Sequence, residues 1–128
     1  MNVILDTCAV IRLAEGSLPK STQHHLLDAR EAIVPSVVVW EIAIKVKSGK
    51  LTIPDSPLPW MEALARRHDL QLERAAPDVL LLCAAADLPM IHRDPFDRVL
   101  VAAALHSKLT ILTSDRIIPT YPGVGVMW

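Results

Sequence analysis

The stretch HRDPFDRVL, residues 92–100, carries two aspartates three positions apart, Asp94 and Asp97. Helix-start rules alone could explain both. Aspartate is a preferred N-cap, Pro95 suits the first helical position, and an acid three residues after the cap resembles a capping box. The alternative is that one of the two acids is held in the first helical turn to do chemistry. The remaining acids of the chain bear on that choice.

Two further acids follow aliphatic runs. Asp6 comes directly after NVIL, and Asp115 comes just after TILTS near the other end of the chain. In open parallel sheets, sites form beyond the carboxyl ends of the strands, so two acids at two strand ends can meet in one crevice. Each alone is equally explained as a helix cap or a turn residue. The pair is harder to dismiss.

Glu41 lies inside VVVWEIAI, where nearly every neighbour is apolar. A helix of this composition is enclosed on most sides, so the carboxylate can be drawn inward, where it needs a partner. Lys45, four residues further on, offers the alternative of an ordinary surface ion pair, worth about 0.2–0.5 kcal/mol.

The chemistry open to these acids is cation binding. Carboxylates held within a few ångströms repel one another, and a hard cation with oxygen ligands offsets that repulsion. Mg²⁺ and Mn²⁺ suit such ligands, and the sequence has no His/Cys set with zinc spacing. The predicted site consists of Asp6, Glu41, Asp97 and Asp115.

Aliphatic strand-like segments alternate with helical segments along the chain. The predicted strands are NVIL, AIVP, LQLER, LTILTSD and an edge strand in VGVMW. Parallel strands need crossover connections, which helices supply, so this alternation predicts a parallel sheet covered on both faces. We therefore expect one three-layer α/β/α domain over residues 1–128, with a central parallel sheet.

The predicted helices follow from caps and stops. TCAVIRLAEG is expected to be capped by Thr7 and stopped by Gly16, and VVVWEIAIKVKSG to be capped by Ser36 and terminated by Gly49. The other predicted helices are STQHHLLDAREA, a segment near WMEALARRH, PDVLLLCAAADL, and a helix from Pro95 to about Lys108.

Composition sets limits on partners. The chain has 128 residues, of which 52% are hydrophobic, and a mean hydropathy of +0.34. That is ample for one core and leaves apolar surface for a partner. The net charge of -1 gives no global argument for nucleic-acid binding. If four of the 14 acids form one site, the other 10 face 13 lysines and arginines, a mildly basic surface.

The two cysteines, Cys8 and Cys83, lack metal-motif spacing and sit in apolar neighbourhoods. We expect buried free thiols in a reducing compartment. The segment MNVILD has no leader-like region, and VLLLCAAA is far shorter than the roughly 18 apolar residues of a membrane span. The sequence thus predicts a soluble cytoplasmic protein without a membrane partner.

Four blocks of the sequence resemble the PIN-domain ribonucleases, and more narrowly the VapC-type toxins of bacterial toxin–antitoxin pairs. The blocks are ILDTCAVIRLA, PSVVVWEIAIKVKSGKL, LPMIHRDPFDRVLVAAAL and LTILTSD, in family order. The resemblance implies that Asp6 and Asp97 bind metal most directly, while Glu41 and Asp115 complete the acidic pocket. Asp94 then remains the cap. The roles of His92, Arg93 and Arg98, in the same block, stay open.

The resemblance also implies an activity and partners. It implies cleavage of RNA, often tRNA, with one or two Mg²⁺ or Mn²⁺ ions, a homodimer, and silencing by a small antitoxin whose C-terminal segment lies over the site. Basic residues flanking the acids are candidate phosphate contacts: Lys45, Lys47, Lys50, Arg93, Arg98 and Arg116.

Two other functions compete with this interpretation. An aspartyl-phosphate enzyme or receiver-like domain would also place an acid after its first strand. The phosphatase pattern, however, needs a second aspartate where this chain has Cys8, and a receiver needs a lysine where this chain has TSD. The second competitor is a catalytically inactive PIN-like protein-binding module whose acids are only caps.

Overall fold

The computed structural model describes all residues, 1–128. Its centre is a five-stranded sheet in the order β3-β2-β1-β4-β5, with every neighbouring pair parallel. The strands are β1 (Asn2–Leu5), β2 (Glu31–Val34), β3 (Gln71–Leu72), β4 (Thr110–Leu112) and β5 (Gly125–Met127). The predicted parallel sheet is confirmed, and the C-terminal segment forms an edge strand as expected.

Helices join the strands and cover the sheet. They are α1 (Thr7–Glu15), α2 (Lys20–Asp28), α3 (Ser36–Lys47), α4 (Pro57–His68), α5 (Val79–Asp87) and α6 (Pro95–Ser107), with a 3₁₀ turn at Ile118–Thr120. None of these helices combines the length and apolarity needed to cross a bilayer.

Alternate residues of β1 face opposite layers, which explains its aliphatic run. Val3 and Leu5 belong to a buried cluster formed with residues of α1, α3 and α4. Ile4 belongs to a second cluster, which includes Leu100 of α6 and Tyr121. A strand covered on both faces needs apolar side chains at every position. The three-layer arrangement is thereby confirmed.

The pairing of β1 with β4 fixes the edge where the site lies. Leu5 is in register with Leu112, so the residues that follow both strands leave the sheet side by side. The main-chain N–H of Asp6 still donates to the carbonyl of Leu112, at 3.3 Å. Asp6 and the segment 113–115 therefore meet at the carboxyl edge of the sheet, as the sequence predicted.

Two predicted N-caps are wrong. The N-cap of α1 is Asp6, whose Oδ1 accepts a hydrogen bond from the N–H of Ala9 at 2.7 Å, while Thr7 is the first helical residue. Helix α3 begins at Ser36 itself, whose hydroxyl donates to Glu73 at 2.9 Å instead of capping the helix. In both cases the side chain has a distant partner instead, since the hydroxyl of Thr7 donates to Glu41 of α3 and that of Ser36 to Glu73, which follows β3.

Other boundaries differ in smaller ways. Gly16 ends α1 in the left-handed conformation, as predicted, with φ of 71°. Helix α3 ends at Lys47, two residues before Gly49. The predicted second helix ran to residue 32, but α2 ends at Asp28, because Glu31 and Ala32 pair with β1.

The cysteine prediction is half right. Cys8 and Cys83 are both free thiols, but both are exposed. Cys8 follows Thr7 at the edge of the sheet and lines an open pocket, so its apolar sequence neighbours do not enclose it. Cys83 lies on α5, a helix of which only Ala85 is buried.

Candidate metal centre

All four predicted acids line one pocket of about 400 Å³ at the carboxyl edge of the sheet. They come from four places in the chain, namely the end of β1, the middle of α3, the first turn of α6 and the segment after β4. The full lining is Asp6, Thr7, Cys8, Ile11, Glu41, Lys45, Asp94, Asp97, Ser114 and Asp115.

Asp6 is the most buried of these acids, with 5% of its surface exposed. Its Oδ1 caps α1, and its Oδ2 accepts a short hydrogen bond from the hydroxyl of Thr113. Burial raises the pKa of Asp6, the hydrogen bonds from Thr113 and Ala9 counteract this in part, and the charges of Asp115 and Glu41 add to the rise. Asp6 is thus held rigidly among like charges.

Glu41 points inward, as its apolar context indicated. Its Oε1 accepts a hydrogen bond from the hydroxyl of Thr7 at 2.5 Å. The surface ion pair with Lys45 does not form, although Lys45 lines the same pocket. The carboxylate is therefore tied to the start of α1, next to Asp6.

Asp97 has the most perturbed acidity. Burial raises the pKa of Asp97 to about 7, with further increases from the charges of Asp94, Glu41 and Asp115 and a decrease from His92. This carboxyl therefore holds its proton at pH values where a free aspartate is ionised, although it sits in the first turn of a helix, where a negative charge is normally favoured. Burial, with the like charges around it, outweighs that benefit.

Asp115 shows the opposite behaviour. Burial alone would raise its pKa, but the pKa is lowered because the main-chain N–H groups of Ile117 and Ile118 and the side chain of His92 donate to the carboxylate. The two main-chain bonds to Oδ1 measure 2.6 and 3.2 Å. Asp115 thus remains ionised.

His92 lies between two of the acids, which the sequence left open. Its Nε2 is 3.0 Å from Oδ2 of Asp97 and 3.4 Å from Oδ2 of Asp115. The ligand atoms of these three residues lie within 4.8 Å of one another, a group that does not include Asp6 or Glu41. The only sequence signal for this position of His92 was that it lies two residues before Asp94, the expected helix cap.

Asp94 is the N-cap of α6, as predicted, because its Oδ1 accepts from the N–H of Phe96 at 2.9 Å. It is more than a cap, however. Its side chain lines the pocket, and after burial its charge is the largest influence on the pKa of Asp97. The two aspartates of the HRDPFDRVL stretch therefore belong to one electrostatic unit.

The predicted phosphate contacts divide into two groups. The prediction is wrong for Arg98, which cannot contact phosphate because it is buried and all of its hydrogen bonds go to main-chain carbonyls. The others reach solvent or the pocket: Lys45, Lys47, Lys50, Arg93 and Arg116.

The donor set fits a hard divalent cation. Every acidic ligand atom is a carboxylate oxygen, and hydroxyls of Thr7 and Thr113 orient two of the carboxylates. Burial first, and then like charges, raise the pKa values of Asp6 and Asp97, and no lysine or arginine forms an ion pair that would balance either carboxylate. A bound Mg²⁺ or Mn²⁺ would supply that balance.

Solved structures share this fold at low sequence identity. VapBC2 from Rickettsia felis, bound to a DNA fragment from its promoter, includes a chain that superposes with a TM-score of 0.70 at 15% identity, covering 100% of this chain and 99% of that one. FitAcB from Neisseria gonorrhoeae gives a TM-score of 0.61 at 17% identity, covering 98% and 96%. No curated protein matches the sequence.

Identities of 15–17% show a shared fold but do not assign the chain to a family. A family-level comparison makes that assignment. The sequence profile of the PIN domain matches residues 3–124, nearly the whole chain. The match runs from β1 through the segment after β4, and so includes all four pocket acids. The chain therefore belongs to the PIN domain family.

Proposed function

We propose that this protein is a Mg²⁺- or Mn²⁺-dependent ribonuclease and the toxin of a toxin–antitoxin pair. One observation carries the proposal: four carboxylates from four separate elements line a single pocket, where burial and the charges of Asp94, Glu41 and Asp115 raise the pKa of Asp97 to about 7. A purely structural set of caps would not be gathered where the charges destabilise one another.

The residues would divide the work as follows. Asp6 and Asp97 hold the cation, while Glu41 and Asp115 complete its surroundings. When bound, the cation lowers the pKa of a water molecule and stabilises charge on the phosphodiester oxygens. The phosphatase pattern needs a second aspartate where this chain has Cys8, which lines the pocket beside Asp6. This argues against an aspartyl-phosphate mechanism.

RNA is the proposed substrate, with tRNA as one candidate. Lys45 lines the pocket, and exposed basic residues lie in the segments that carry the acids: Lys47, Lys50, Arg93 and Arg116. Phosphate groups on both sides of the scissile bond would contact these side chains. Outside the four pocket acids, 13 lysines and arginines outnumber 10 acids. The rest of the chain is therefore mildly basic, which supports RNA binding despite the net charge of -1.

A small antitoxin is the proposed partner, in the cytoplasm. Support comes from the shared fold with chains of VapBC2 and FitAcB. In this chain the pocket concentrates negative charge, so a partner segment with a basic side chain could cover it and balance the carboxylates in place of the cation.

A second copy of this chain is also proposed as a partner, bound through α5. The helix exposes Val79, Leu80 and Leu82, with 73%, 81% and 46% of their surface accessible. Residues 79–86 carry no charge. A two-fold interface sets a patch against itself, which an uncharged apolar face tolerates and a charged one does not. An apolar patch of this kind marks an interaction site.

The catalytic proposal predicts the effect of removing one carboxylate. Asp6→Asn or Asp97→Asn should lower Mg²⁺- or Mn²⁺-dependent RNA cleavage by about a hundredfold or more, because an oriented ligand is lost. Asp28→Asn, which changes an exposed acid on α2, is the matched control and should cleave like the wild type. Wild-type cleavage that continues unchanged in EDTA would contradict the metal-dependent mechanism. If the protein were only a binding module, any RNA cleavage would come from a copurified nuclease. Neither Asp6→Asn nor Asp97→Asn would then change the rate.

The raised pKa of Asp97 predicts a pH effect on stability. The pKa of Asp97 rises from 3.8 to about 7 on folding, so the folded state holds a proton that the unfolded state releases, and stability falls as pH rises through this window. Asp97→Asn removes this loss. In EDTA at pH 8 its Tm should exceed that of the wild type by a few degrees, corresponding to roughly 1 kcal/mol.

Asp94→Ala provides the comparison in the same thermal melts. Loss of the cap should cost about 0.5–2 kcal/mol with or without Mn²⁺, whereas Asp97→Asn should weaken stabilisation by added Mn²⁺. Some dependence of stability on pH remains in the Asp97→Asn variant, because the pKa of Asp6 is also raised. The lowered pKa of Asp115 affects stability only at lower pH. If Asp97→Asn destabilises the EDTA form as much as Asp94→Ala does and keeps the Mn²⁺ response, both acids are only helix-start residues.

The antitoxin proposal predicts that a small protein encoded beside this one copurifies with it and blocks RNA cleavage. The measurement is cleavage by the complex and by the chain separated from it. Copurification without inhibition would show that the partner does not cover the acidic pocket.

The α5 surface predicts a dimer in solution. Sedimentation velocity should show a dimer for the wild type and a monomer for Leu80→Glu, since the charge would be buried without a partner. Leu27→Glu alters a leucine on α2 that is equally exposed, at 81%, and should leave the dimer intact. A monomeric wild type at tens of micromolar, or a dimeric Leu80→Glu variant, would refute this interface.

A further inference from the structure

The connection between α5 and α6 is held by Arg98, which is 8% exposed and forms no ion pair. Nη1 and Nη2 of its guanidinium donate to five main-chain carbonyls at 2.8–3.3 Å, those of Ala85, Ala86, Leu88, Pro89 and His92, with the two hydrogens of Nη2 shared among Ala85, Ala86 and Leu88. The first carbonyls lie at the C-terminal end of α5, where a positive charge is favoured. A buried cation satisfied only by carbonyls fixes the path of that main chain.

Tyr121 holds the same connection from the other side. It is 2% exposed, in the core beside Ile4. Its hydroxyl accepts a hydrogen bond from the N–H of His92 at 2.9 Å and lies 3.5 Å from the carbonyl oxygen of His92, to which it can donate. With Arg98 also on that carbonyl, both polar groups of the His92 main chain are held by buried side chains.

The imidazole of His92 is oriented as well. The main-chain N–H of Asp94 donates to Nδ1 at 3.3 Å, so the ring hydrogen is on Nε2. That hydrogen faces Oδ2 of Asp97, at 3.0 Å, and Oδ2 of Asp115, at 3.4 Å. In this tautomer His92 is a hydrogen-bond donor to the two carboxylates and not a ligand for a cation.

We infer that Arg98 and Tyr121 are positioning residues, which fix the His92 main chain so that its Nε2–H links Asp97 to Asp115 and sets the spacing of these two carboxylates. Two like-charged side chains left alone would move apart. Holding them together before a cation arrives reduces the reorganisation that binding requires. The consequence for cation affinity rests on the proposed function, while the hydrogen-bonded link itself does not.

The first measurement therefore needs no metal. In the full-length protein labelled with ¹⁵N-histidine, the Nε2–H of His92 should give a downfield proton resonance protected from exchange with water. His92→Ala identifies the signal by its loss. Tyr121→Phe, which removes one hydroxyl and keeps the ring in the core, should broaden or shift it.

The second measurement is the Mn²⁺ dissociation constant by titration calorimetry. Residues that orient metal ligands typically contribute 10–100-fold in affinity. Tyr121→Phe should raise the constant about tenfold and His92→Ala at least as much. The double variant should bind no more weakly than His92→Ala alone, because Tyr121 acts through His92. A merely structural hydroxyl would instead give additive losses.

Arg98→Lys extends the test to the guanidinium, since the single ammonium of lysine cannot reproduce two planar nitrogens that reach five carbonyls. Arg66→Lys, which changes an exposed arginine on α4 outside the site, is the matched control and should behave as wild type. The inference is overturned if wild type lacks the protected His92 resonance, if Tyr121→Phe leaves both resonance and affinity unchanged, or if the losses are additive. A wild type that keeps the resonance but binds no Mn²⁺ would overturn the proposed function instead.

Discussion

The parallel pairing of β1 with β4 is the constraint on which the rest of this structure depends. It aligns Leu5 with Leu112, so that Asp6 and the segment leading to Asp115 leave the sheet at one edge. The N–H of Asp6 and the hydroxyl of Thr113 continue the connection beyond the last paired residues. Because both strands are buried on both faces, neither can slip in register without exposing apolar side chains. The sheet core thus fixes the distance between two acids that would otherwise separate.

This arrangement brings negatively charged side chains close together. Hydrogen bonds from neighbouring elements stabilise some of these carboxylates more than others. Asp115 receives two main-chain N–H groups, and its pKa falls, whereas burial and three carboxylate neighbours raise the pKa of Asp97 to about 7. Thr7 satisfies one oxygen of Glu41, which comes from α3. The site is therefore rigid and incompletely neutralised. Such a site has a stronger affinity for a divalent cation than an equally acidic but mobile surface.

Much of this could be read from the sequence, for identifiable reasons. Aliphatic runs that end abruptly at an acid located Asp6 and Asp115, and an acid within an apolar helix located Glu41. Local rules failed where a distant strand competed for the side chain, as with Ser36, which bonds Glu73. Nor could they place Tyr121, whose hydroxyl meets the His92 main chain 29 residues away. Arg98 resembled a phosphate contact because its burial depends on the position of α5.

The central claim is that the four carboxylates form one divalent-cation site. The most direct test is an anomalous difference map from a crystal of this chain soaked in Mn²⁺, collected where manganese scatters anomalously. The account predicts a peak in the pocket at the carboxyl edge of the sheet, within coordination distance of Asp6 or Asp97 and near Asp115. A map without a peak there, at a Mn²⁺ concentration that supports RNA cleavage in solution, would contradict it.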